Sequence, residues 1–356
     1  MSGAVPTTMK AVIVQEGKRV QVKEHPVPPL RDDDILVKTV AVAQNPTDWK
    51  FVDFVQNVGT ILGCDWSGYV VAAGKNVTSP KVGDHVAGFT QGGTFTDGGA
   101  YAEYVRIPAD LSWVVPEGSI SHEEAATLGC AFWTAAQALY HPTRLGLVEP
   151  PEKVNEEHWI FIYGGSSSVG QYAVQLAHLS GYKVVTTASP RNFDYVKSLG
   201  ADEVFDYRDP EVVQKVKAAT GDSLKEGFDT ISLKESQALT AQVINPTGGK
   251  IVLLLNPIPE AKVRDDVHVG YTLIYTSLGR EFNLRGSHYP VSSEDRAHMA
   301  AFLRKVPALV KEGKVKPNPV KLWKGGLTAI QDGLQYMREG KVSAEKIVYR
   351  VEETSP

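Results

Sequence analysis

The chain has 356 residues, 42% hydrophobic and 22% charged, which is ordinary globular usage and excludes wholesale disorder. Its net charge of −4 and pI near 6.2 offer no basic surface for a nucleic-acid backbone or an anionic membrane. Two cysteines exclude a disulfide framework and a four-cysteine zinc lobe. No apolar run approaches the roughly 18 residues of a membrane-spanning helix.

The opening "MSGAVPTTMK" lacks a basic region followed by an apolar core, so a cytoplasmic protein is expected. "MKAVIVQ" (9–15), "VQVKEHPVPP" (20–29) and "DILVKTVAVAQN" (34–45) are rich in Val and Ile and read as strands. The charge run Arg31, Asp32, Asp33 and Asp34 reads as a solvated turn before the third. "SGYVVAAG" (67–74), "DHVAGF" (84–89) and "GAYAEYVRIP" (99–108) add further strands between Gly, Pro, Asn and Asp. Many short strands at this spacing predict a small barrel or partly open β-domain.

The pattern changes at "SHEEAATLGCAFWTAAQALYH" (121–141), which reads as one helix opened by a capping box of Ser121 and Glu124. "HWIFIYGG" (158–165) is a short buried strand, "SSVGQYAVQLAHLSG" (167–181) an amphipathic helix and "YKVVTTA" (182–188) a second strand. "DEVFDY", "FDTISL" and "GGKIVLLLN" continue the alternation, which predicts a parallel, doubly wound sheet. Helices are expected around 294–312 and 325–340, and a last strand in "EKIVYRV".

"IFIYGGSSSVGQYAVQLA" carries the strongest chemical signal. Aligned on G-x-G-x-x-G it reads Gly165, Ser166, Ser167, Ser168, Val169 and Gly170, preceded by Gly164, with serine in place of the middle glycine. A glycine turn between a buried strand and a helix lets backbone N–H groups approach a pyrophosphate, whereas an ordinary strand–helix turn needs no such spacing. At the end of the second strand an NAD site usually places a carboxylate for the ribose 2′-hydroxyl. This chain has Ser189, Pro190, Arg191 and Asn192, a set that suits a 2′-phosphate and predicts NADP(H) as cofactor. Tyr207, after "EVFD", lies where it can reach the same phosphate.

A β-domain first, a dinucleotide domain second and a return to the first resembles the medium-chain dehydrogenase/reductase superfamily. "AVAQNPTDWK" (41–50), "GTILGCDWSGYVVAAGKNVTSPKVGDHVAGF" (59–89), "GAYAEY" (99–104) and "EEAATLGCAFWTAAQAL" (123–139) are similar to its zinc-free quinone oxidoreductase and enoyl reductase branch. "TASPRNFDYVKSLGADEVFDYRDP" (187–210) and "GKVSAEKIVYR" (340–350) resemble fungal trans-acting enoyl reductases of polyketide synthases. The resemblance implies an α/β fold with a GroES-like β-barrel catalytic domain at 1–131 and 290–356, and a Rossmann NADP-binding domain at 132–289.

Zinc alcohol dehydrogenases of that superfamily carry a Cys where this chain has Asn45, a His-Glu pair where it has Cys64 and Asp65, and a second Cys at Cys130. Cys and Asp are competent zinc ligands, but Asn45 is a poor one, so no metal is expected and the cysteines read as packing. A C=C bond conjugated to a carbonyl needs less than a plain ketone does: hydride at the β-carbon, a proton at the α-carbon, and donors to the enolate oxygen.

The resemblance places Asn45, Thr47 and Lys50 beside the nicotinamide, with Asn45 and Thr47 binding polar groups. Lys50 would stabilise enolate charge or assist proton delivery, unless it is simply an exposed lysine. Thr134 would approach the nicotinamide ribose, and Asn256 and Pro257 the carboxamide. Asp48 is expected to orient its loop. Trp66 and Phe132 would line an apolar pocket or pack the core, and 271–290 would border the substrate.

The leading expectation is NADPH-dependent reduction of enals, enones or enoyl thioesters. Alternatives are quinone reduction, trans-acting reduction of a carrier-protein-bound polyketide, and a crystallin-like nucleotide-binding role. The substrate would be a small molecule, with no nucleic acid or membrane partner, and the protein a monomer or homodimer.

Overall fold

The computed structural model describes residues 5–355. The chain forms two compact units, one running up to Trp133 and resuming at Tyr275, the other from Thr134 to Ile274.

In the first unit the hub is the strand Asp34–Ala43, whose run of Val, Ile, Leu and Ala is buried at nearly every position. Burial on both faces matches a continuous apolar strand, and three strands pair along its edges. It pairs antiparallel with Asp65–Ala73, with Tyr104–Pro108 and with Lys346–Arg350. The sheet continues from Asp65–Ala73 through His85–Phe89 to Ser112–Val114, and from Lys346–Arg350 to Val320–Leu322. Thr8–Gln15 and Arg19–Pro26 form a separate hairpin.

The strand expected over 99–108 is confined to Tyr104–Pro108. Residues before it turn to another neighbour: Tyr101 donates its N–H to the Leu62 carbonyl and accepts from Val12 N–H. The helix expected over 121–141 is broken. His122–Ala126 carries the capping box of Ser121 and Glu124, and a second helix runs Cys130–Tyr140. The expected helix at 294–312 is likewise two, Ser293–Leu303 and Val306–Lys311, and Ile330–Arg338 follows a short 3-10 turn.

The second unit is a six-stranded parallel sheet in the order Glu203–Asp206, Lys183–Ala188, Trp159–Tyr163, Glu226–Asp229, Gly249–Leu253, Val267–Tyr271. Phe161, Val185, Leu224, Ile251 and Leu253 belong to its buried core. From Trp159–Tyr163 the chain winds first to one side and then returns to the other. That reversal makes the carboxyl end of this strand the topological switch point, where ligands bind in open α/β sheets.

The division falls at 133/134 and 274/275, whereas the sequence places the second boundary at 289/290. Residues 275–289 join the first unit because Tyr275 packs its ring on Phe51, Phe89 and Phe282, and Phe282 stacks on Tyr289 across the hairpin Phe282–Leu284/Ser287–Tyr289.

Candidate active site

The second unit builds a glycine turn from backbone. At the switch point Gly164 adopts φ +80°, a conformation that penalises side chains. Gly165 has no room for one, since a Cβ would lie 2.4 Å from Thr186 Oγ1. A Cβ on Gly170 would lie 2.1 Å from the Gly164 carbonyl oxygen. Ser167 caps the helix Ser168–Leu179 by accepting the Gly170 N–H at 2.9 Å, and its hydroxyl also meets Thr230 Oγ1 at 2.8 Å. Ser166 contributes its carbonyl to Gln171 Nε2. Gly164 donates to Thr187 Oγ1, which ties the turn to the adjacent strand. The residues fit a pyrophosphate: the turn is kept open by glycines and ends on a helix N-terminus, with half-buried Ser168 and Val169 in its first turn.

Ser189 stands at the end of Lys183–Ala188 and opens the 3-10 turn Pro190–Asn192, with Arg191 exposed and Asn192 half-buried. Tyr207 follows Glu203–Asp206, 40% exposed, its ring 6.3 Å from Tyr163. Asn256 and Pro257 are exposed after Gly249–Leu253, and the Asn256 carbonyl accepts from Gln237. Thr134 is buried, in the helix Cys130–Tyr140.

The first unit builds a separate polar cluster from side chains. Asn45 precedes the short helix Pro46–Lys50, and Asp48 Oδ2 accepts the Asn45 N–H at 2.7 Å and the Tyr101 hydroxyl at 2.7 Å. These two bonds tie Asp48 to the start of its own helix and to Tyr101. Burial pushes its carboxyl up to about 7, opposed by these hydrogen bonds. Thr47 shares a hydrogen bond with the buried Tyr275 hydroxyl, and burial raises that phenol well above its ordinary value, keeping it protonated. Lys50 is half-buried, with its ammonium 5.8 Å from the Trp49 ring. Burial and then the charge of Arg285 lower its pKa, and no carboxylate pairs with it among the described residues. A cavity of about 770 Å³ also opens in this unit, lined by Gln56, Asn57, Phe95, Glu281, Phe282 and His288 among others.

Asp65 sits at the centre, fully buried. Its Oδ1 accepts the Cys130 N–H at 2.5 Å, and its Oδ2 faces Lys346 Nζ at 2.9 Å in an ion pair. The same ammonium donates to Asn45 Oδ1 at 2.5 Å. The break in the expected helix coincides with this contact: Asp65 Oδ1 takes the Cys130 N–H that a continuous helix would give to the carbonyl of Ala126, and a Cβ on Gly129 would lie 2.3 Å from the same oxygen.

The residues present do not fit zinc. One oxygen of Asp65 is taken by a backbone donor and the other by a cation, and Asn45 turns its only good ligand atom to that cation. Cys64 is buried, and burial raises its thiol well above the ordinary range. Among the described residues no three His, Cys, Asp or Glu side chains gather as a metal would require. Trp66 and Phe132 are core, not pocket lining: both are fully buried, Trp66 against Gly88 and Phe132 against Phe302.

Lys346, Tyr101 and Tyr275 escape a reading by sequence. Lys346 opens the apolar strand "KIVYR", where a lysine is ordinarily exposed, and only its distant partners Asp65 and Asn45 account for its burial.

The fold and the glycine turn define a two-unit oxidoreductase of the alcohol dehydrogenase type, with a β-domain and a nucleotide-binding domain. Residues 31–117 match the alcohol dehydrogenase GroES-like domain and residues 168–304 the zinc-binding dehydrogenase family. The chain is 44% identical to trans-enoyl reductase ACTTS2 of Alternaria alternata, over 97% of this chain and 99% of that one. It is 37% identical to trans-enoyl reductase mpsG of Macrophomina phaseolina, again over 97% and 99%. The solved quinone oxidoreductase of Coxiella burnetii superposes with a TM-score of 0.72 at 26% identity, over 97% of this chain and 99% of its own. The chain belongs to the medium-chain dehydrogenase/reductase superfamily, in its enoyl reductase and quinone oxidoreductase branch. No helix among the described residues is long and apolar enough to cross a membrane.

Proposed function

We propose that the protein reduces the C=C bond of α,β-unsaturated carbonyl compounds with NADPH and without a metal. The observation that carries this reading is the Lys346 ammonium paired with Asp65 and Asn45, where the zinc-bearing branch of the superfamily gathers metal ligands. The trans-enoyl reductases that match nearly the whole chain support the reaction class.

Gly164, Gly165, Ser166, Ser167, Ser168, Val169 and Gly170 would hold the pyrophosphate. Ser189, Arg191, Asn192 and Tyr207 would hold the 2′-phosphate, and Asn256, Pro257 and Thr134 the nicotinamide end. The absence of a carboxylate on the turn at Ser189–Asn192 is what favours NADPH over NADH. Bound there, NADPH supplies the hydride.

The first unit handles the carbonyl. Asn45 and Thr47 orient it, and the Tyr275 hydroxyl, kept protonated, supports Thr47. Lys50, a cation without a carboxylate partner among the described residues, stabilises negative charge developing on the substrate oxygen. No dedicated nucleophile is needed.

The test follows NADPH absorbance with a panel of enones, enoyl thioesters, quinones and aldehydes, with and without chelator. Rapid oxidation by activated alkenes, unaffected by chelator and slower with NADH, is the expected result. Turnover of quinones alone would establish the quinone reductase reading that the Coxiella burnetii likeness favours. Chelator-sensitive turnover would end the metal-free reading.

A further inference from the structure

We propose that Lys346 is a positioning residue: its buried ammonium fixes and polarises the Asn45 carboxamide, so that Asn45 Nδ2 donates a hydrogen bond to an acceptor oxygen of the bound ligand. This rests on the reading above for what the ligand is, but not for the assignment of Asn45 as its donor.

An ammonium only donates, so Asn45 must turn its oxygen to Lys346, and the amide orientation is fixed by charge. The amide nitrogen is then committed to the opposite side. There Nδ2 is buried and has no hydrogen-bond partner among the described residues, although Asn45 as a whole is only 3% exposed. A buried amide donor without an acceptor is costly, and such groups are rare unless a ligand or water completes them. Lys346 itself is 1% exposed and held in place by Asp65, which the Cys130 N–H anchors in turn. A cation on the oxygen of an amide withdraws electron density from its nitrogen and strengthens its N–H as a donor. The series from Asp65 through Lys346 to Asn45 thus aims one strengthened donor at a place where no atom of the described residues receives it. The acceptor is a carbonyl or hydroxyl oxygen, belonging either to the cofactor or to the conjugated carbonyl.

The test labels asparagine side chains with ¹⁵N and assigns the Asn45 NH₂ pair by its loss in Asn45→Asp. A shift of this pair on adding NADP⁺ places the acceptor on the cofactor. A shift only when an enone joins the NADP⁺ complex places it on the substrate. In Lys346→Met the pair moves before any ligand is added, and its response to ligand disappears.

Asn45→Asp keeps an oxygen for Lys346 but no donor. In the folded variant kcat/KM should fall roughly tenfold to a hundredfold, while the added buried carboxylate lowers Tm. Should Lys346→Met fail to fold, the double variant Asp65→Asn, Lys346→Met removes both buried charges and serves the same comparison. An Asn45 pair indifferent to both NADP⁺ and enone, or wild-type kcat/KM in Asn45→Asp, overturns the proposal. A protein that reduces no enone yet shifts this pair with NADP⁺ would refute the enone reductase reading and leave the Asn45 assignment standing.

Discussion

In the second unit the polar site is made by leaving side chains out: Gly164, Gly165 and Gly170 open a turn, and neighbouring Thr and Ser hydroxyls pin it. In the first unit the site is made by putting charges in, with Asp65, Lys346 and Asp48 all buried around Asn45. The first device draws on backbone groups that every sequence has, and depends on room. The second depends on balance, because each buried charge is tolerable only while its partner is present. The two units should therefore fail in different ways.

The largest effect is expected where balance is broken. Asp65→Ala leaves the Lys346 ammonium unpaired in the core and the Cys130 N–H without its acceptor, and should cost about 3–5 kcal/mol in denaturant unfolding. A loss below about 1 kcal/mol would mean that the pair is solvated and the contrast between the units is false.

Gly170→Ala tests the crowding side of the comparison. The added methyl meets the Gly164 carbonyl, and overpacking of this kind costs about 1–3 kcal/mol. NADPH affinity, read by fluorescence titration, should fall with it, because the turn must open.

Asp48 gives a pH signature that the glycine turn cannot have. Its carboxyl titrates near 3.8 when unfolded and about 7 when folded. Between those values the folded state holds the extra proton, so stability falls as pH rises from about 4 to 7, by at most about 1.4 kcal/mol per pH unit. The carboxamide introduced by Asp48→Asn can still accept from the Asn45 N–H and the Tyr101 hydroxyl, but it has no proton to lose. The difference in stability between variant and wild type should grow over that window. His85 acts in the opposite sense, since burial and then His122 lower it to about 3, so its contribution is lost as pH falls below about 6.5. Comparison of the Asp48 variant with wild type at each pH removes this second slope.

The smallest effect belongs to Ser167→Ala, which removes one helix cap and should cost about 1 kcal/mol. A weaker grip on NADPH with unchanged turnover at saturating cofactor is the expected kinetic result.

The same contrast decides what a sequence shows. The glycine turn is legible because its parts are neighbours in the chain and lie between a strand and a helix whose patterns are strong. The sheet of the second unit is legible for the same reason. Asn45, Cys64, Asp65 and Cys130 can be located only by resemblance, and nothing local says what joins them. Lys346 lies 301 residues from Asn45, and its burial is set by two long-range partners. The break near Gly129 is hidden likewise: 121–141 has a helix's composition, and the Asp65 carboxylate that takes the Cys130 N–H comes from a strand distant in the chain. Trp66 and Phe132 show the converse, since an apolar ring beside a polar motif is equally consistent with core and pocket until its neighbours are known.

The lateness of Lys346 has a consequence during synthesis. Asn45 and Asp65 leave the ribosome early, and the whole of residues 134–274 follows before position 346 is made. Until then Asp65 has no counter-ion and the strand Asp34–Ala43 lacks the neighbour Lys346–Arg350. The second unit, whose sheet uses only its own residues, can close while the first is still waiting. Nascent chains arrested before residue 346 should therefore carry a protected nucleotide-binding unit beside a protease-sensitive β-domain, and release of the final strand should lock the latter.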